Sequence, residues 1–424
     1  MVPRHVLLSS LVVAACCSNL GADNWPRFRG PDGSGVSDAR GLPISWSDTD
    51  NVVWKTALPG FGAGSAIIVG DRAFVTCYSG YGQGENKGAA EDLELHVVCI
   101  DKNSGKILWD RAAAADTRVK GYGGFIELHG YASATPTCDG KAVYAFFGAN
   151  GVFAYDIDGK RLWRKQVGTK THAFGTANSP VLHGGLVLIN ASVESGSLYA
   201  LDKKDGSVVW KAGGIRQSWN TPLVVTASNG RQEIVLNNQG AIRSFDPENG
   251  KELWSCDAIN DYICPSVIAH DGVVYAIGGR GATCIAVKAG GRGKVDRLWK
   301  ASVGSNVSSL SYRKGRLYWV SDRGIAVSID ARTGRSIKKQ RIKGTGRVYA
   351  SVLLAEDRLY AVSRKNGTYV LSTSDPFERL AHNEFASDDS IFNASPAVSD
   401  GKMYLRSDKF LYCLASSKTP DKKR

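Results

Sequence analysis

Short apolar runs separated by polar turns repeat along most of the chain, and the pattern is clearest in GSLYALDKKDGSVVWKA, residues 196–212. Two apolar segments flank a turn built from Asp and Gly, which spells strand, tight turn, strand. HVVCIDKNSGKILWD, GVFAYDIDGKRLWRK and AIRSFDPENGKELWS repeat the design with the tryptophan in the same place. CIAVKAGGRGKVDRLWK is a looser copy, and GIAVSIDARTGRSIKK and TYVLSTSDPFERLA are decayed ones. Trp54, Trp109, Trp163, Trp210, Trp254 and Trp299 share one phase at intervals of 55, 54, 47, 44 and 45 residues, which Lys338 and the region of Leu380 continue. Upstream of most hairpins lies a second strand pair, introduced by Ser, Thr or Asn beside Pro, as in NSPVLHGGLVLINA and CPSVIAHDGVVYAIGG.

Four short strands in a period of roughly 40–50 residues are the mark of a propeller blade. NVVWKTAL stands alone as an outermost strand before the first full period, and ASPAVSDGKMYLRSDKFLYCL supplies the three strands it lacks. Paired, they complete an eighth blade, and closing the ring hides sheet edges that would otherwise be open. The expectation is therefore an all-β, eight-bladed β-propeller of four-stranded antiparallel blades. The domain plan is an export signal at 1–22, an irregular arm at 23–50, the propeller at 51–416 and a basic tail at 417–424. Trp25, Phe28 and Trp46 are expected to pin the arm against the propeller. Asp101, Asp156, Asp202, Asp246 and Asp330 recur at the hairpin turns. A catalytic carboxylate is needed once, so these read as turn-formers, with Gly105, Gly206, Gly250 and Gly334 supplying the positive φ. The six tryptophans read as docking residues between blades.

Composition adds the compartment. Gly is abundant at 48 residues and Met scarce at 2, in keeping with turn-rich β structure. MVPRHVLLSSLVVAA has a basic start and an apolar run too short to span a bilayer, as in an export signal. Cleavage after Ala22 is one route. VAAC, ending at Cys16, resembles a lipobox, and lipidation of Cys16 would anchor the chain where peripheral association is otherwise expected. Nine cysteines show no CxxC, CxxCH or Cys/His spacing, which removes structural zinc and c-type haem. The seven in the body read as small buried hydrophobes, although Cys77 and Cys99 could lie on neighbouring strands and cross-link. The net charge of +13 is scattered and suits contact with anionic surfaces, while export argues against nucleic acid. A monomer is expected.

LYALDKKDGSVVW resembles the pyrroloquinoline-quinone (PQQ) repeat, with its docking motif Ala-x-Asp-x-x-x-Gly-x-x-x-Trp, and the resemblance runs from about Trp54 to Leu414. NWPRFRGPDGSGVS is similar to the lead-in of exported propellers of that superfamily. The resemblance implies two branches. Quinoprotein dehydrogenases hold PQQ and Ca²⁺ at the axis and oxidise alcohols or sugars; BamB-like assembly lipoproteins use the ring as a scaffold for protein contacts. Fold does not choose between them. The dehydrogenases often carry adjacent cysteines over the quinone, whereas the only Cys-Cys pair is Cys16-Cys17, inside the export signal. They also need a carboxylate base and hard oxygen ligands for Ca²⁺, and no cluster outside the structural turns is evidently placed for this. The balance favours a non-catalytic envelope scaffold without cofactor, contacting envelope proteins or a small sugar or peptide.

Ligands of propellers gather where the outermost strand of one blade runs into the innermost strand of the next. In those loops Tyr131, Phe174, Trp219, Tyr262, Tyr349 and Phe392 are aromatic, and His172, Asn220, Asp261, Asn306, Arg347 and Asp389 are polar. The longest, KGYGGFIELHGYAS, places Glu127 two residues from His129, an acid–base pair if the segment is a strand. The axial-mouth candidates are thus Glu127, His129, Tyr131, His172, Trp219, Asn220, Tyr262, Asn306, Arg347 and Asp389. No GxSxG elbow is present, which makes a hydrolase a weaker expectation.

Overall fold

The computed structural model describes residues 24–82, 87–116 and 119–417. The export signal, Cys16 and nearly all of the basic tail lie outside these residues. Eight antiparallel sheets form the eight blades of a propeller. Strands are lettered A to D from the axis outward. Blade 1 consists of Ile67–Val69, Arg72–Ser79, Glu94–Asp101 and Ile107–Ala114. Blades 2 to 7 repeat the order, with strand A beginning at Thr137, Val181, Leu223, Ile268, Ser311 and Leu353. Blade 8 closes the ring as expected: Val52–Ala57 pairs antiparallel with Phe410–Leu414, Val52 opposite Leu414 and Ala57 opposite Phe410. Strands B and C are largely buried on both faces because a neighbouring blade covers each side, whereas strand D mixes exposed and buried positions at the rim.

Each strand D carries a register shift one residue before the docking position; in blade 3 Ala200 faces Trp210 but Leu201 faces Val208. The bulged residue is turned outward. In six blades this leaves an apolar side chain exposed, Val53, Leu108, Leu162, Val209, Leu298 and Leu380, all 42–55% accessible, whereas the bulged Leu253 of blade 4 is 8% accessible. They are spaced around the circumference rather than gathered into a patch.

The tryptophans join successive blades. Trp54, Trp109, Trp163, Trp210 and Trp299 donate Nε1–H to the carbonyls of Lys102, Ile157, Lys203, Pro247 and Ala331 in the next blade's turn, at 2.8–3.1 Å. A glycine of that turn lies under each ring, Gly250 under Trp210 for instance. The recurrent aspartates cap these turns, as Asp101 does by accepting from the Asn103 and Ser104 amides. Trp254 departs from the expectation. It is fully buried and donates to Glu233 of its own blade at 2.6 Å. The next turn is the degenerate AGGRGK, and its Gly293–Lys294 pairs in parallel with Trp254 and Ser255, covering the docking position from outside.

At the axis a hydroxyl begins every blade. Ser65, Thr135, Ser179, Thr221, Ser266, Ser309, Ser351 and Ser395 form a closed ring in which each backbone N–H donates to the next hydroxyl oxygen at 2.9–3.2 Å. Thr135, Ser179, Thr221, Ser266 and Ser395 are the Ser and Thr residues beside proline noted in the repeat, while Ser65, Ser309 and Ser351 fill the same place without a proline.

The arm does not lie along the outside of the ring; it enters the axis. Trp25 bridges Ile68 of blade 1, the Cys138 amide donates to the Pro26 carbonyl, and Val36–Ser37 pairs in parallel with strand A of blade 7. Arg29, 1% accessible, donates to the Leu310 carbonyl at 2.6 Å and to Ser311 Oγ at 2.8 Å. Gly30, Gly33 and Gly35, with φ of 85°, 74° and 71°, let the chain reverse inside this narrow space. Trp46 is buried beyond it, its amide donating to Asn383 Oδ1. All seven cysteines of the body are free. Cys77 and Cys99 do not cross-link, because they face opposite sides of blade 1.

Candidate functional site

Above the arm, the loops from strand D to strand A surround a cup of about 210 Å³. Its floor is Phe28 of the arm together with all eight ring hydroxyls. Its walls are Phe125, Leu128, Phe174, Trp219, Tyr262, Val307 and Tyr349, with His129, Asn306 and Asn393 as polar members. Four of the aromatic groups, Phe125, Phe174, Trp219 and Tyr262, form one connected set. Phe174 lies 4.6 Å from Phe125, 5.4 Å from Trp219 and 5.1 Å from Tyr262, centroid to centroid. Trp219 is fixed by donation to the Gly175 carbonyl at 2.8 Å, and Tyr262 by the Asn306 amide at 2.6 Å. Among the described residues, no Asp, Glu, Lys or Arg lines the cup.

His129 is a wall residue held by two hydrogen bonds. It lies 2.8 Å from the Phe174 carbonyl through Nε2 and 2.5 Å from Ser133 Oγ through Nδ1. A carbonyl only accepts, so Nε2 carries the proton. Burial pushes the imidazole down to about 4, leaving it neutral near pH 7. The expected Glu127–His129 pair does not form, because Ile126–Leu128 is a 3₁₀ turn rather than a strand. Glu127 instead faces solvent beside Lys87 Nζ at 3.3 Å.

The other candidates separate. Trp219, Tyr262 and Asn306 line the cup with His129. His172 stands behind the wall, 5.0 Å from Phe174 and 4.9 Å from Trp219, and accepts the Phe174 amide. Tyr131 belongs to a tyrosine cluster, 5.3 Å from Tyr78 and 5.7 Å from Tyr81, and donates to the Lys120 carbonyl. Asn220 is wholly buried, donating to Ser218 Oγ and the Asn237 carbonyl. Arg347 and Asp389 are tied outside the cup to Asp322 and Lys409. Phe392 packs with Phe385 and Tyr412 instead of entering the cup.

Sequence reasoning missed Arg364, which sits in a strand B-to-C turn. It covers the Tyr349 ring at 4.6 Å and donates to the Leu128 carbonyl and Asn393 Oδ1, both at 2.9 Å, tying the longest loop across the mouth. Phe28, expected only to pin the arm, also lines the cup. A third arrangement has no sequence motif at all: Ser79 Oγ lies 2.8 Å from His96 Nε2, and His96 Nδ1 lies 3.0 Å from Asp110 Oδ1. That is the bonding order of a Ser-His-Asp relay. The three side chains stand on strands B, C and D of blade 1, and His96 is only 5% accessible. The trio thus reads as a lock across three strands. Among the described residues no three His, Cys, Asp or Glu side chains gather to hold a metal.

The fold and cup define a PQQ-like repeat propeller whose axis is plugged from one side and open at the other. A family model described as outer membrane protein assembly factor BamB matches residues 46–220, 212–340 and 287–390, and the chain belongs to that family. It is 27% identical over 261 residues to the outer membrane protein assembly factor BamB of Yersinia pestis, covering 47% of this chain and 64% of that protein. It is 26% identical over 321 residues to a polyvinylalcohol dehydrogenase of a Pseudomonas species, covering 60% of this chain and 45% of the dehydrogenase. The chain thus spans less than two thirds of either relative. The crystal structure of BamB from Moraxella catarrhalis superposes with a TM-score of 0.62 at 14% identity, covering 87% of this chain and 98% of that one, a likeness of fold.

Proposed function

We propose that this chain is a non-catalytic binding and scaffold propeller of the bacterial cell envelope. It is exported, associates with the membrane peripherally or through an acylated Cys16, and uses the axial cup to hold a segment of a partner protein or a small sugar or peptide ligand. The observation that carries this reading is the cup itself: connected aromatic walls, a floor of hydroxyls and no charged lining residue. Such walls suit stacking and apolar contact. BamB relatives, named for assembly of outer membrane proteins, support a protein partner.

The dehydrogenase relative favours a second reading, catalysis with PQQ and Ca²⁺ in the same cup. Calcium takes six to eight oxygen ligands, carboxylates prominent among them, and quinone chemistry calls for a carboxylate base. The described lining residues include no carboxylate, so they do not fit that pair. The test is thermal shift against saccharides and peptides for the unmodified chain and for Phe174→Ala. Stabilisation that disappears in the variant supports the cup as the site; stabilisation retained in full overturns it.

A further inference from the structure

The eight hydroxyls of the ring have a chemistry that the fold leaves unfinished. Each oxygen already accepts a backbone N–H, yet none of these hydroxyls donates to a protein acceptor among the described residues. All eight are buried and all line the cup. The floor is therefore a circle of O–H donors, and leaving a buried donor unmatched costs about 1–3 kcal/mol. An acceptor-rich ligand would satisfy several at once.

Charge narrows the ligand further. The arm carries Arg27 and Arg29 with a single nearby carboxylate, Asp32. Arg29 is bonded at Ser311, two residues down strand A from the ring member Ser309, roughly 6–7 Å along a strand. Arg27 lies under the Gly33 turn that meets Leu223, likewise two residues below Thr221. Arg29 keeps Nε and Nη1 without partners although it is fully buried. The field at the floor is positive, which disfavours an ammonium group despite the aromatic walls. A polyphosphate would bring more charge than one excess guanidinium offsets.

Resting on the reading of the cup as a binding site, we propose that it takes a carboxylate carried on an apolar or aromatic body. The carboxylate turns to the hydroxyl ring, and the body sits between Phe174, Trp219, Tyr262 and Tyr349. A protein C-terminus ending in an apolar residue and a free aromatic acid share this chemistry.

Calorimetric titration of the purified chain tests it with N-acetylphenylalanine, its amide, a hexapeptide ending in free Phe, the same peptide amidated, and a neutral disaccharide. The expected result is binding of the acids at least tenfold tighter than of their amides. The peptide acid exceeds N-acetylphenylalanine if the source is a chain terminus, and equals it if the source is a small acid. Thr221→Val, which removes one donor, should weaken the acids more than the amides; the acid-to-amide ratio of the unmodified chain decides even if that variant fails to fold. Amides that bind as well as acids, or a disaccharide that binds while acids do not, would overturn the carboxylate inference and leave the binding reading standing. Failure of every probe would count against both.

Discussion

Replacing Gly250 by alanine isolates the contact by which one blade grips the next. Gly250 has φ +70°, and a Cβ built there would lie 2.4 Å from the Trp210 ring. Two costs follow. The left-handed conformation costs a non-glycine residue about 1–2 kcal/mol. Overpacking against a buried indole adds about 1–3 kcal/mol, since Trp210 is only 7% accessible and its Nε1 is tied to the Pro247 carbonyl at 2.8 Å. Gly230 provides the control, with φ +79° and nothing within 4 Å of its Cβ position. Urea unfolding at constant m should therefore place Gly230→Ala about 1 kcal/mol below the unmodified chain and Gly250→Ala about 3 kcal/mol below it. In a Trp210→Ala background the clash has no partner, so the added cost of Gly250→Ala should fall to that of the control. A double-mutant cycle reads this difference directly. Equal costs for the two glycines, or a Gly250 cost that survives loss of Trp210, would refute the docking account.

Two further outcomes follow from buried groups. Burial pushes the Glu194 carboxyl up from 4.5 to about 7, and Thr176 is its one hydroxyl donor. The folded chain then holds a proton that the unfolded chain releases between about pH 4.5 and 7, so stability should fall as pH rises through that window, by about 3 kcal/mol, and level off above it. Glu194→Gln should abolish that slope in pH-resolved urea unfolding; an unchanged slope would remove Glu194 as its cause. At Ser79 a fluorophosphonate probe followed by peptide mass mapping should find the hydroxyl unmodified, because the trio serves as a lock across three strands. Labelling abolished by His96→Ala would make the trio a nucleophile relay.

The repeat made the ring legible because the blade hairpin is local. Asp202, Gly206 and Trp210 lie within nine residues and encode cap, turn and dock together. Blade 8 was legible from arithmetic, a lone D strand matched to a lone A-B-C set. Trp254 misled because the next blade's turn, AGGRGK, has lost the motif that receives the other five indoles, and its own N–H goes to Glu233 of the same blade. The cup was half legible. Trp219, Tyr262 and Asn306 could be read from loop position, but the 3₁₀ turn that separates Glu127 from His129 depends on packing. The path of the arm was hidden altogether, since nothing in WPRFRGPDGSG marks an axis that exists only once eight blades have closed.

The central claim, a cup that binds without quinone chemistry, is tested most directly by titrating PQQ with Ca²⁺ into the purified chain. Tryptophan quenching and reduction of an artificial dye are followed together over a panel of alcohols and sugars. The account expects no dye reduction with any substrate and no saturable quenching that depends on Ca²⁺. Saturable quenching accompanied by substrate-dependent dye reduction would contradict it and make the axial cup an active site.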